Sequence, residues 1–229
     1  MIKKSTAIVL KRFPYGETSI IARCFVRDLG KVSFIVRGAH RKKSPMGAYF
    51  QPSNYLNLVF YYKENRDLQT ITKASFVRSW QRMITDLKKI AYAMALIELT
   101  DKCLIGHDSH PELFDALCDA LATVESHDNQ LNLAYWFYQY QLLTLLGFQP
   151  DLTQAELDFI SLPDPFAGPN TKLLFQLFEM DKNGMDQNIK VTLKDRQIMS
   201  NYLTTCLGIH FEGINKLKSL ELLREMMAS

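Results

Sequence analysis

Cysteine is scarce and unpaired in this chain. The four cysteines among 229 residues (Cys24, Cys103, Cys118, Cys206) are scattered, with no CxxC pair. Neither a disulfide framework nor a zinc ribbon is expected, and a reducing cytoplasm is the default compartment. Long apolar runs are missing too: none reaches the roughly 18–20 residues a membrane-spanning helix needs. The opening Met1-Ile2-Lys3-Lys4-Ser5 leads into a short apolar stretch soon broken by Lys11 and Arg12, unlike a secretion signal. A phosphate loop, GxSxG, HExxH and an acidic metal cluster are all absent. Glu17 and Asp28 fall in turns and form no acid/base pair by spacing. Catalytic residues, metals and cofactors are therefore all expected to be none. The composition, 47% hydrophobic and 22% charged, excludes a mostly disordered chain and allows one large domain or two small ones.

Acidic residues are scarce in one place only. Residues 1–80 hold fifteen Lys and Arg against four acids (Glu17, Asp28, Glu64, Asp67), a surplus of eleven positive charges. The other 149 residues hold twelve Lys and Arg against twenty acids, so the net +3 hides two opposite halves. A basic front on an acidic back points to two units, one of which meets a polyanion.

The hydrophobic period changes where the charge does. Period-two alternation marks strands at 5–13, 18–27, 31–38, 55–63 and 68–77, on the last of which Leu68, Thr70, Thr72, Ala74 and Phe76 share a face. Turn signals separate them, among them Pro14-Tyr15-Gly16 and Ser44-Pro45-Met46-Gly47. Five strands with no helix between them fit a small antiparallel barrel, best a five-stranded OB-type barrel. From about residue 80 the period is helical: 81–105, a helix opened by Pro111, a nearly all-apolar 130–146 stopped by Gly147, then 171–180, 192–207 and 219–227. Thr153-Gln154-Ala155-Glu156 has the capping-box pattern and predicts a short helix. The fold class expected is α+β, an OB-fold barrel over 1–80 followed by an all-helical domain over 81–229.

The densest functional candidate is Arg37-Gly38-Ala39-His40-Arg41-Lys42-Lys43-Ser44-Pro45, which leaves a strand and ends in a turn. Cations on such a loop neutralise phosphates and release their counterions. Lys11, Arg12, Arg23, Arg27, Lys63, Lys73 and Arg78 extend the patch. Stacking platforms for bases are sought among Tyr15, Phe34, Tyr49, Phe50, Tyr61 and Tyr62, with Tyr61 favoured because it opposes the Leu58/Phe60/Tyr62 face and lies near Lys63. The DNA-binding set is thus Arg37, His40, Arg41, Lys42, Lys43, Lys11, Arg12, Arg23, Lys63 and Tyr61. Cys103-x3-His107-x2-His110 is too sparse for structural zinc. The aromatic run Tyr135-Trp136-Phe137-Tyr138 with Tyr140 reads as helical core. The competing readings are an OB module for structured RNA, a protein adaptor that never meets nucleic acid, and a metal-assisted nuclease or phosphatase.

The order of these pieces resembles a known family. Tyr15-Gly16-Glu17-Thr18-Ser19, Gly30-Lys31, Arg37-Gly38-Ala39 with basic residues and Ser44, and Gln51-Pro52 resemble the N-terminal domain of RecO, the bacterial recombination mediator. The likeness continues through Pro111-Glu112-Leu113-Phe114, Leu142-Leu143, Leu146-Gly147-Phe148-x-Pro150-Asp151-Leu152 and Leu217-Lys218-Ser219. The resemblance implies a non-enzymatic repair protein of the cytoplasm, associated with the nucleoid. It would bind single- and double-stranded DNA, anneal complementary strands and associate with RecR. It would also engage the C-terminal tail of single-strand binding protein, so helping RecA load. Two departures stand out. Many members carry a four-cysteine zinc module just after the LGF-x-P-D-L stretch, whereas Thr153 to Asn170 contains no cysteine. A degenerate, metal-free module is expected at about 150–172. Relatives also place Arg and Glu in the helix before Leu146, where this chain has Trp136, Phe137, Tyr138, Gln139 and Tyr140, so no tail-binding residue is carried over there.

Overall fold

A computed structural model describes the chain except residues 42–43, 107, 181–188, 220 and 224–229 and the side chain of Asn215. Five strands, β1 (Ile2–Tyr15), β2 (Ser19–Val26), β3 (Gly30–Val36), β4 (Tyr55–Tyr61) and β5 (Leu68–Arg78), close a barrel in the order β1-β2-β3-β5-β4. The β3–β5 pair is parallel and the others antiparallel. Between β3 and β4 a single helical turn, α1 (Met46–Tyr49), delivers the fully buried Phe50 to the barrel core. This is the OB-type barrel that the alternation predicts.

Alternation works because each strand turns alternate residues into the barrel. Ile20, Ala22, Cys24 and Val26 of β2, Val32, Phe34 and Val36 of β3, and Leu56, Leu58 and Phe60 of β4 all fill the barrel. The expected face of β5 is a correction. The register slips between Val59 and Phe60, so Gln69, Ile71 and Ala74 turn inward or half inward while Thr72 and Phe76 stay exposed. A bulge adds one residue and reverses the phase beyond it.

The helical part runs through α2 (Leu87–Cys103), α3 (Pro111–Ser126), α4 (Leu131–Leu145), α5 (Thr171–Met180) and α6 (Leu193–His210). α4 is buried along nearly its whole circumference, from Leu131 through Trp136 and Tyr138 to Leu143. Gly147, at φ +86°, ends it as only glycine does readily. Of the helix expected at 219–227, residues 219 and 221–223 are helical and the rest lie outside the described residues.

The helix expected at Thr153 does not form. Asp151 accepts from the Thr153 backbone N–H at 2.9 Å and from its hydroxyl at 2.7 Å, taking the group a capping box requires. The chain instead makes a short hairpin, β6 (Glu156–Leu157) with β7 (Ile160–Ser161), turned by Asp158 and Phe159 at φ +49° and +63°. Among the described residues of the second domain, this hairpin supplies the two strands and the other regular elements are helical.

Barrel and helices share a core. Along β1, Ala7 and Val9 point into the barrel, while Ile8 and Leu10 join the helical core, so four consecutive residues are buried. Phe25 on β2 packs edge-to-face on Phe114 of α3 at 5.3 Å between centroids. Trp80 closes the junction by donating its indole N–H to the Ser53 carbonyl at 2.8 Å.

Candidate nucleic-acid interface

The basic loop is built on fixed points. Val36 ends β3 inside the barrel, and Gly38, at φ +70°, turns the chain so that Arg41 N–H reaches the Gly38 carbonyl at 3.1 Å. A Cβ at Gly38 would stand 3.3 Å from Arg41 Cδ, so the Arg41 side chain folds back across the turn. Ala39 is buried in the barrel core, and His40 N–H donates to the Thr18 carbonyl at 3.0 Å, tying the loop to the β1–β2 hairpin tip. Gly47 lies so close that a Cβ there would sit 2.5 Å from the Ala39 carbonyl oxygen. Arg37, His40 and Arg41 are exposed on this frame; Lys42 and Lys43 lie outside the described residues. Thr18, Ala39 and Gly47 escape a search for charge, since the only trace of their role is a small residue or a turn.

Register places the other candidates. Tyr61 pairs with Thr70, Thr70 with Ile35, Ile35 with Ile21, and Ile21 with Phe13, so these residues follow one another across the sheet, although the barrel is sheared and Tyr61 meets Ile2 on the closing side. Arg37 is two residues above Ile35 on β3, and Tyr61 is two strands across, roughly 10 Å sideways. Lys73, three residues past Thr70, runs toward the loop end, whereas Lys63 continues β4 away from it. Lys63 belongs instead to a turn stapled by the buried Gln69, whose amide bonds the Lys63 N–H, the Lys63 carbonyl and the Arg66 carbonyl. Of the six aromatic candidates, Phe34 and Phe50 are core, Tyr49 leans on Phe76 and Tyr62 on Phe60, while Tyr15 and Tyr61 are about half exposed at 47% and 50%. Lys11 and Arg12 are exposed farther down β1.

Arg23 does not join them. Both carboxylate oxygens of Asp101, at the end of α2, accept from Arg23 Nη1 at 3.1 and 3.0 Å, and Lys31 donates to the Asp101 carbonyl at 2.8 Å. Arg27 grips Asp115 of α3 through Nε at 3.0 Å and Nη2 at 2.6 Å. Three barrel cations are thus held by two carboxylates of the helical part, at the seam between the units. Nothing local in the sequence marks Asp101 or Asp115 as their partners. Among the described residues, Lys4, Lys11, Arg12, Arg37, Arg41, Lys63, Lys73 and Arg78 make no ion pair.

Cys103 is buried in the helical core, where desolvation pushes its thiol up to about 12, and His107 lies outside the described residues. Tyr135 to Tyr140 are buried. No group of three metal-ligating side chains occurs among the described residues, and no described helix is long and apolar enough to cross a membrane.

Comparison with known proteins fits this architecture. Residues 1–80 match the family model "Recombination protein O N terminal", and residues 84–157 match "Recombination protein O C terminal". The chain is 32% identical over 160 residues to the DNA repair protein RecO of Salinibacter ruber, covering 70% of this chain and 62% of that one. It is 30% identical over 155 residues to the protein of that name from Chlorobium limicola, covering 68% and 59%. Against that of Flavobacterium johnsoniae it is 27% identical over 237 aligned positions, covering 98% and 99%. The first two alignments span less than two thirds of the relatives' length; the third spans both chains nearly end to end. With both halves matched in order on the barrel and the first helices, the chain belongs to the RecO family.

Proposed function

We propose that this protein is a DNA repair and recombination mediator that binds single- and double-stranded DNA and brings complementary strands together without catalysis. The observation that carries the reading is the anchored loop at the barrel's end. Arg37, His40 and Arg41 stand exposed on a frame fixed by Thr18, Ala39 and Gly47, and neither arginine is spent on a carboxylate among the described residues. Lys42 and Lys43 add two charges to the same stretch of sequence. Lys73 extends the surface on one side, Tyr61 offers a ring on the same wall, and Lys11 and Arg12 continue it down β1.

The mechanism is electrostatic. Two strands repel through their phosphates, and a basic surface that neutralises part of that charge lets them approach while base pairing supplies specificity. The relatives' name, DNA repair protein, supports the same role. In this reading RecR, the tail of single-strand binding protein and, indirectly, RecA are the protein partners, and the region after Leu152 is a zinc module that has lost its ligands.

The test is the salt dependence of binding. Each lost phosphate contact should flatten the slope of log affinity against log salt by about 0.7 for single strands and 0.9 for duplex. The double variant Arg37→Glu/Arg41→Glu should bind more weakly with a slope shallower by one to two contacts. An unchanged slope would remove the loop from the mechanism, and preference for RNA over DNA of equal length would redirect the function.

A further inference from the structure

A groove of about 480 Å³ lies where the barrel meets the helical part. That volume is within the range of ligand-binding clefts. Its lining is largely apolar: Leu10 of β1, Pro52, Met94 and Ile97 of α2, and the half-exposed Leu222 from the C-terminal segment. Its rim carries Lys11, Arg12 and Lys218, none of which forms an ion pair among the described residues. The two acids in the lining are already engaged. Asp101 is held by Arg23 and Lys31. Glu98 accepts from the backbone N–H of Lys218 at 3.4 Å and of Ser219 at 2.9 Å, and from the Ser219 hydroxyl at 2.6 Å.

These last bonds give the Leu217-Lys218-Ser219 motif a physical purpose. Leu217 is buried in the helical core and Ser219 is locked to Glu98, so the residue between them is fixed in the backbone while its side chain is exposed. Lys218 is thereby held on the rim shared with Lys11 and Arg12. Cations around a largely apolar lining match a flat, weakly polar ring joined to anions on both sides.

We propose that this groove receives an unpaired base of a single strand, with Lys11, Arg12 and Lys218 on the adjoining phosphates. The inference rests on the DNA-binding reading above and deepens it by assigning a contact that duplex cannot make, since paired and stacked bases are unavailable to a groove. Continuity favours a nucleic acid over an acidic peptide. Arg12 is three residues, roughly 10 Å, along β1 from Tyr15 at the hairpin tip to which the basic loop is bonded.

The experiment titrates the full chain, by fluorescence anisotropy, with labelled oligothymidylate, an abasic strand of equal length and a duplex. Burying one base is worth about 1–3 kcal/mol, so oligothymidylate should outbind the abasic strand by on the order of tenfold. Lys218→Glu should weaken binding of the single strand, and Leu222→Gln should cut the base preference toward unity with duplex binding unchanged; both side chains are exposed. Equal binding of the two single strands, or a preference that survives both substitutions while Arg41→Glu still weakens binding, would overturn the groove and leave the DNA reading standing. Binding of no oligonucleotide at low salt would end both. A peptide of alternating Asp and Leu that loses affinity with Lys218→Glu, with the base preference untouched, would assign the groove to a protein instead.

Discussion

Replacing Asp101 by Ala should destabilise the protein far more than replacing Asp115 by Ala, although Asp115 is gripped through two nitrogens of Arg27 and Asp101 through Nη1 of Arg23 alone. The difference is solvent. The Asp101 side chain is 15% exposed, with Arg23 at 33% and Lys31 at 21%, whereas Arg27 and Asp115 stand at 40% and 53%. Exposed pairs contribute about 0–1 kcal/mol, and breaking a buried one costs about 3–5 kcal/mol because the orphaned charge stays buried. Asp101 lies between these limits; its loss orphans Arg23 and removes the charge facing Lys31, which keeps the backbone carbonyl as acceptor, so about 2–3 kcal/mol is expected for Asp101→Ala. Equilibrium urea unfolding measures it, and a cycle with Arg23→Gln isolates the pairwise part. There is a second signature. Burial lowers the Lys31 pKa, and Asp101 opposes that shift. Without Asp101 the native state binds the Lys31 proton still less well than the unfolded chain. The variant should therefore recover stability relative to wild type as pH rises toward the ordinary lysine value of about 10.4. Equal losses at Asp101 and Asp115, with no difference at alkaline pH, would refute the view that the seam is held by a partly buried charge cluster.

Asp195 should be the most sensitive acid of the helical part. Fully buried, it accepts from Asn170 N–H and Nδ2 and from Thr192 N–H and hydroxyl, so one carboxylate caps the starts of both α5 and α6. Asp195→Ala is expected to lose about 2–4 kcal/mol in thermal or urea unfolding. Burial alone would raise its pKa, but these hydrogen bonds outweigh burial and hold it low. Its contribution is thus complete above the unfolded value of about 3.9, fades as pH falls through the lower native value, and should be missing from the acid limb of the variant's stability curve. Gly47→Ala must push α1 off the Ala39 carbonyl; a loss of about 1–3 kcal/mol together with weaker DNA binding is expected, read by unfolding and anisotropy. Burial raises all four thiols, Cys103 and Cys118 to about 12 and Cys206 to about 11. None should react quickly with a disulfide reagent at pH 8 until denaturant is added.

Sequence showed the barrel well because its strands are long and turn alternate residues into the barrel. β2, β3 and β4 fill the core with the alternate residues the pattern marks. It misplaced β5, since the slip opposite Val59 and Phe60 leaves no mark in a run that already mixes Thr, Ile and Ala. It also missed that β1 is dry on both faces over Ala7-Ile8-Val9-Leu10, the junction of two cores. The capping-box reading at Thr153 failed to a competitor two residues upstream, the Asp151 carboxylate. Among site residues, the loop Arg37 to Arg41 was legible as dense exposed charge. Arg23 was not separable from it, because its fate depends on Asp101, 78 residues away.

That separation changes what the charge count means. A surplus of eleven over residues 1–80 treats every cation as available to a polyanion. Arg23, Arg27 and Lys31 are engaged by carboxylates that belong to the acidic half, so part of the opposition between the halves holds them together. The cations left over are not spread evenly. Arg37, Arg41 and Lys73 lie toward the loop end of the barrel and Lys11 and Arg12 on the stretch of β1 that lines the seam groove, while Lys4 and Lys63 lie away from the loop. Docked against β1 and β2, the helical part thus meets the barrel where two of its aspartates are paired with barrel cations, and there it sets Lys218 beside Lys11 and Arg12.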